Sequence, residues 1–233
     1  MTRQTRDQLL LPTVPGLAAP DGFHGRVTAL GLTLGDSQIV LLGDYLARLL
    51  AMNQRMNLTA IVDPSEAWTR HVEDALYLGP MLSDLAKGAR IADVGSGGGL
   101  PAIPLAIAFP DLLFSLIEST QKKAAFLRDL AAALGLRNVS VLPVRAELVA
   151  LGRMRGSFEV ITARAVAKLS LLVPLSAPLL RDGGRMLFIK GQRVDEELAL
   201  AAAAILDAHM IHRDTIATPT GRVVVLERAI RAR

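Results

Sequence analysis

The sequence predicts an α/β protein whose mostly parallel seven-stranded sheet is covered by helices on both faces. Three observations carry this. From Arg90 onward, short apolar segments alternate with helical ones, and their near-continuous hydrophobicity marks strands buried on both sides. The first segment ends in Asp93-Val94 and runs into a glycine-rich turn, Gly95-Ser96-Gly97-Gly98-Gly99. About twenty residues later a second strand ends in an acid, Glu118, the spacing of a βαβ nucleotide-binding unit.

The elements follow in order. Residues 1–34 hold Pro12, Pro15, Pro20 and several glycines and read as a flexible extension with a short helix over 23–29. Asp36 is the expected N-cap of a helix over 37–53, with Ile39, Leu42, Leu46, Leu49 and Leu50 on one face. A second helix follows Asp63-Pro64, with Pro64 in its first turn and Trp68, Val72, Ala75 and Leu76 as its apolar side. Together these make a small helical cap over 35–88. Strands are expected at 90–94, 113–117, 139–143, 158–162, 185–190, 210–216 and 222–226, and helices at 100–108, 121–134, 146–151, 169–180 and 196–208. No helix separates the last two strands, so the final one is expected to be antiparallel. The chain thus divides into an extension over 1–34 and a single domain over 35–233, whose cap leads into an α/β core over 89–233.

Composition narrows the class. The 233 residues are 51% hydrophobic with a mean hydropathy of +0.37, enough for a sizeable core. No apolar run approaches the roughly 20 residues of a membrane span. Leu9-Leu10-Leu11 after Arg3 and Arg6 suggests a signal peptide, but Pro12 and Pro15 cut it short, and a cytosolic location is expected. The chain has no cysteine, which removes disulfides, thiolate metal sites and thiol nucleophiles. Its four histidines lack metal-ligand spacing, so no metal is expected. A net charge of +4 and a pI near 9.8 are compatible with an anionic partner. Aromatics at 4% argue against stacking platforms, so a nucleic acid would be held through phosphate and shape.

The glycine turn departs from the dinucleotide fingerprint, because Leu100 stands where G-x-G-x-x-G needs its third glycine. Asp93 would repel a pyrophosphate but suits a ligand with an ammonium group, and Glu118 suits ribose hydroxyls. S-adenosylmethionine has both features. Gly95, Gly97, Gly98 and Gly99 let the backbone approach such a ligand closely. The blander readings are a turn with no ligand and Glu118 as a helix N-cap. After the third strand, the backbone of Ala146 and the carboxylate of Glu147 are placed for the adenine amino group, although Glu147 also suits the positive end of its helix. Arg164 closes the fourth strand and needs an anion or acceptor there: a ligand carboxylate, a substrate phosphate, Asp93, or a fixed ion pair. Lys190 closes the fifth strand as a second cation, or as a snorkelling strand-end lysine. In the cap, Asn53, Asn57, Thr59, Arg70, His71 and Asp74 are spaced to lie near one another, as turn formers or as a site. Lys122, Lys123 and Arg128 form either a solvated helix face or an RNA contact.

In order along the chain stand Asn57-Leu58-Thr59, Arg70-His71-Val72-Glu73-Asp74, the run from Asp93 to Leu105, Ala163-Arg164-Ala165 and Lys190-Gly191-Gln192. In this combination the chain resembles the ribosomal RNA small-subunit methyltransferase G family, also called glucose-inhibited division protein B, over roughly residues 37–227. The resemblance implies a class I (Rossmann-like) methyltransferase fold and S-adenosylmethionine as cofactor. It also implies methyl transfer to N7 of one guanine in the decoding-region hairpin of 16S ribosomal RNA, on the free RNA or the small subunit, by a monomer. By motif, the cofactor would contact Gly95, Leu100, Ala146, Glu147 and Arg164, with Asp93 and Glu118 lining the same pocket. Arg145, Arg164 and Lys190 would form a basic mouth facing the guanine and its phosphates. Two positions depart from the family pattern: Met52 stands where Trp is common, and Ala102 where Gly is common. A methyltransferase for another RNA or for protein, and a non-catalytic binding module, share most of these features.

Overall fold

The computed structural model describes residues 11–230. Seven strands form one sheet: β1 (Arg90–Val94), β2 (Leu113–Ile117), β3 (Val139–Leu142), β4 (Phe158–Arg164), β5 (Leu180–Lys190), β6 (Met210–Ala217) and β7 (Arg222–Arg228). Their order is β3-β2-β1-β4-β5-β7-β6. β1 to β5 pair in parallel, and β7 runs antiparallel to both β5 and β6. The chain moves outward from β1 through β2 to β3, then returns to the other side of β1 as β4. The loops leaving β1 and β4 therefore diverge, and a crevice opens at their carboxyl ends.

Successive strand residues face opposite sides, and the core divides accordingly. Ile91, Phe114 and Val160 face one layer with Leu42, Trp68, Leu105 and Leu127. Ala92, Ile161 and Phe188 face the other with Val149, Leu172 and Ile205. The first layer holds α1 (Phe23–Ala29), α2 (Asp36–Met56), α3 (Pro64–Ala67), α4 (Asp74–Leu76), α5 (Ala102–Ala108) and α6 (Gln121–Ala133). The second holds α7 (Ala146–Leu151), α8 (Leu169–Ser176) and α9 (Val194–Asp207).

Several boundaries differ from the sequence expectation for physical reasons. Gly35, not Asp36, caps α2: the Gln38 side chain accepts from the Gly35 N–H at 2.9 Å and donates to the Ile107 carbonyl at 2.7 Å. The helix runs on to Met56 and ends where Asn57 turns left-handed at φ 48°. The helix expected over 169–180 stops at Ser176, because Pro178 has no N–H to continue it. A 3-10 turn, Ala177–Leu179, follows, and Leu180 already pairs with Phe158 as the start of β5.

The larger difference is at the amino end. Residues 11–34 do not form a loose extension, because their apolar side chains find a surface on the helical layer. Phe23 and Val27, one turn apart on α1, are buried with Leu32 and Leu34. The Phe23 ring meets Trp68 edge-on at 4.9 Å, and Arg26 donates to both Glu73 carboxylate oxygens at 3.1 and 2.7 Å. Residues 1–10, with Arg3, Arg6 and most of the leucine run, lie outside the described residues. Truncating a buried Phe costs about 3 kcal/mol or more. Phe23→Ala is therefore expected to destabilise the whole domain by about that amount in urea unfolding; an unchanged midpoint would contradict the packing.

Candidate active site

The β1–α5 turn is fastened on every side. The N–H groups of Gly95 and Ser96 donate to the Ile117 carbonyl at 2.9 and 3.2 Å. Ser96 Oγ donates back to the Asp93 carbonyl at 3.1 Å, and the buried Tyr45 hydroxyl donates to the Gly98 carbonyl at 3.1 Å. Gly95 sits at φ +70°, and a Cβ there would lie 2.7 Å from Val166. The turn is thus pressed between α2 and the loop after β4, where only glycine fits.

Glu118, at the tip of β2, completes the anchor. One carboxylate oxygen accepts from the Gly97 N–H at 2.9 Å and the other from the Thr120 N–H at 2.7 Å. Each oxygen keeps a further lone pair. A cavity of about 390 Å³ opens beside them. Gly95, Ser96, Gly97, Leu100 and Glu118 form one wall, residues 58–61 with His71 face it, and Arg164 to Val166 close a third side.

Asp93 lies under this floor, 1% exposed. Thr162 Oγ1 donates to its Oδ1 at 2.7 Å, while Oδ2 is buried without a partner among the described residues. Burial, reinforced by the Glu118 carboxylate, pushes the Asp93 carboxyl up to about 7 against the hydrogen bonds it accepts. Between its ordinary value near 3.8 and about 7, the folded protein holds a proton that the unfolded chain releases. The stabilisation is complete below that window and is lost as pH rises through it. Asp93→Asn is expected to unfold at a higher urea concentration than wild type at pH 8, the difference shrinking towards pH 4. A difference independent of pH would refute this.

His71 and Arg164 stand between the loop and the cap. His71 sits in a six-residue π-helical turn, Trp68–Glu73, a widened geometry that is frequent at functional sites. Its Nε2 pairs with Thr59 Oγ1 at 2.8 Å. Burial and the nearby Arg164 guanidinium push the imidazole down to about 4, so it is neutral near pH 7. Arg164 donates to the Arg70 carbonyl, and its other terminal nitrogen lies 3.8 Å from Asp74 Oδ2. Burial lowers its pKa, and Asp74 opposes that. Of the protein partners expected for Arg164, the fixed ion pair is the one formed, with Asp74, while Asp93 accepts from Thr162 instead.

A second cavity of about 290 Å³ shares Arg70, Arg164 and Ala165 with the first and is also lined by Asp74, Lys190, Glu197 and Thr220. Lys190 Nζ donates to the Ala167 carbonyl at 2.7 Å and pairs with Glu197 at 2.7 Å. Two of the three cations of the expected basic mouth, Arg164 and Lys190, are therefore charge-compensated.

The expected site residues separate into two groups. Gly95, Gly97, Leu100, Glu118 and Arg164 line the first cavity, with Asp93 beneath it, and Lys190 lines the second. Arg145, Ala146 and Glu147 line neither. Ala146 is buried in the second core layer, while Arg145 and Glu147 are exposed. Arg145 follows β3, three strand positions from β4, roughly 14 Å at the usual spacing. It does not join Arg164 and Lys190. Thr220, Val166 and Glu197 had no sequence signal: Thr220 reaches Asp74 across 146 positions. Asn57 proves to be a turn residue, and Asn53 Oδ1 accepts from the Leu58 and Thr59 N–H groups at 2.6 and 2.8 Å, holding the cap loop against the cleft.

Among the described residues no cluster of His, Cys, Asp or Glu is placed to hold a metal, and no helix is long and apolar enough to cross a membrane.

Comparison with known proteins bears on this geometry. Residues 38–222 match the family described as rRNA small subunit methyltransferase G. A ribosomal RNA small subunit methyltransferase G from Sorangium cellulosum is 52% identical over 229 residues, covering 98% of this chain and 96% of that protein. One from Roseiflexus castenholzii is 45% identical over 181 residues, 76% of each. Among solved structures, a SAM-dependent O-methyltransferase from Thermotoga maritima superposes with a TM-score of 0.54 at 18% identity, over 79% of this chain and 72% of that one. A geranyl diphosphate C-methyltransferase from Streptomyces coelicolor, in complex with S-adenosyl-L-homocysteine, gives 0.51 at 12% identity, over 66% and 75%. These two show the shared fold.

Proposed function

The chain belongs to the rRNA small subunit methyltransferase G family, and from that premise we propose that it transfers a methyl group from S-adenosylmethionine to N7 of a guanine in 16S ribosomal RNA. One observation carries the reading: the two cavities meet at Arg164, so a donor in the first and a base in the second share a boundary at the strand tips.

The first cavity fits the methyl donor. Glu118 has a lone pair left on each oxygen for the two hydroxyls of a ribose. The buried, unpartnered Asp93 Oδ2 supplies negative potential beneath a cationic ligand, which would favour its ionised form. The neutral His71 and the glycine backbone complete the surface, which Arg70, Lys123 and Arg164 also line. When bound, the cofactor supplies an electrophilic methyl on a sulfonium: the N7 lone pair forms the new C–N bond, the S–C pair returns to sulfur, and no proton has to leave. The protein therefore needs no general base. Its contribution is to hold N7 in line with the methyl and to keep uncompensated cations away from a base that becomes positive. Asp74 beside Arg164 and Glu197 beside Lys190 serve the second task.

The partner in this reading is 16S ribosomal RNA, free or within the small ribosomal subunit, in the cytoplasm. The test is labelled methyl transfer to small subunits that lack the modification, followed by mapping of 7-methylguanosine. Label at one guanine N7 is expected. Label in ribosomal protein, or at another atom or base, would overturn the assignment.

A further inference from the structure

We propose that Asp74 reads the target base, its Oδ1 accepting a hydrogen bond from the exocyclic 2-amino group of the guanine. The proposal rests on the reading above, that guanine N7 is the methyl acceptor, and adds a specificity residue to it.

Asp74 opens α4 directly after the π-helical turn, and its side chain is 1% exposed. Oδ2 is occupied, accepting from Thr220 Oγ1 and facing Arg164 at 3.8 Å. Oδ1 is buried and has no partner among the described residues. An unpaired buried carboxylate oxygen is costly, and Asp74 is a lining residue of the second cavity.

Position selects the donor. N7 must face the first cavity, where the methyl arrives. Arg164 lines both cavities, so it lies beside the near end of the purine, next to O6. Asp74 lines the second cavity and not the first, so it meets the end of the base remote from N7. On a guanine that end carries the 2-amino group, a donor that adenine and hypoxanthine lack. A base taken out of its stack into a pocket is read on this edge.

Charge makes the contact catalytic as well as selective. The base turns cationic as the N7–C bond forms, which makes its amino group a stronger donor to a carboxylate. The hydrogen bond is stronger in the transition state than in the ground state, so its loss falls on kcat.

The test compares small subunits carrying guanine or inosine at the mapped position, because inosine lacks only the 2-amino group. Wild type is expected to methylate guanine roughly 30-fold faster, the ratio for one charge-assisted hydrogen bond. In Asp74→Asn, Thr220 donates to the Oδ2 position and the Arg164 guanidinium faces it, which holds the amide oxygen there. The amide NH₂ then replaces Oδ1 and opposes the guanine amino group, donor against donor. The guanine rate is expected to fall roughly 30-fold or more and the inosine rate by less than about threefold, collapsing the ratio. KM for subunits and binding of S-adenosylhomocysteine should hardly change. Equal losses on both bases would show a structural role only and overturn the proposal. So would a wild-type enzyme that treats the two bases alike, a comparison that needs no folded variant. If wild type labels guanine subunits at no N7, the function reading fails, and this inference with it.

Discussion

Glu118→Ala is expected to weaken binding of S-adenosylhomocysteine by about 100-fold or more and to reduce methyl transfer at least as much. Two losses combine. The ribose hydroxyls lose a charged acceptor, worth roughly 1.5–3 kcal/mol for such a hydrogen bond. The N–H groups of Gly97 and Thr120, which now donate to Glu118 at 2.9 and 2.7 Å, lose their acceptor, and the glycine turn loses its tie to β2. Glu118→Gln separates these losses. One amide oxygen still accepts from a backbone N–H, the charge is gone, and an intermediate affinity is expected. Calorimetric titration with S-adenosylhomocysteine reads the first loss, and the urea midpoint of the ligand-free protein reads the second. Wild-type affinity in a folded Glu118→Ala protein would remove the carboxylate from the site.

Glu118 is legible in the amino-acid sequence because its position is set locally: a strand, a glycine turn, a helix and a second strand fix where that acid must lie. The same holds for Gly95, Leu100 and the strand ends at Arg164 and Lys190. What those strand-end cations do is not legible there. Arg164 is held by Asp74 and the Arg70 carbonyl, and Lys190 by Glu197 and the Ala167 carbonyl, contacts made across separate elements. No spacing rule reports them. The amino-terminal segment differs from its expected looseness for a related reason. Its prolines and glycines describe the turns between packed residues, while the burial of Phe23 against Trp68 depends on a partner far along the chain. Arg145 shows the opposite limit: sequence places it at a strand tip on the right edge of the sheet, but only the strand order puts that tip on the far side of β1 and β2.

Arg164→Met carries the largest combined effect on stability and transfer. The substitution keeps an unbranched side chain and removes the cation, leaving Asp74, 1% exposed, with Thr220 as its remaining partner. Removing one member of a buried pair costs about 3–5 kcal/mol; the 3.8 Å separation and Arg164's 15% side-chain exposure place the expected loss near the lower end, about 3 kcal/mol. Methyl transfer is expected to fall by about 100-fold or more, because the residue shared by both cavities is gone. Destabilisation alone could imitate that fall, and the double variant Arg164→Met with Asp74→Asn distinguishes the two. Once the uncompensated carboxylate is neutralised, most of the lost stability should return, by roughly 2 kcal/mol of coupling in a double-mutant cycle. Transfer to inosine subunits, which Asp74→Asn alone should slow by less than about threefold, should stay low, since the guanidinium beside O6 is not restored. If activity returned with stability, Arg164 would be a structural counter-ion and the boundary between the cavities would need another occupant.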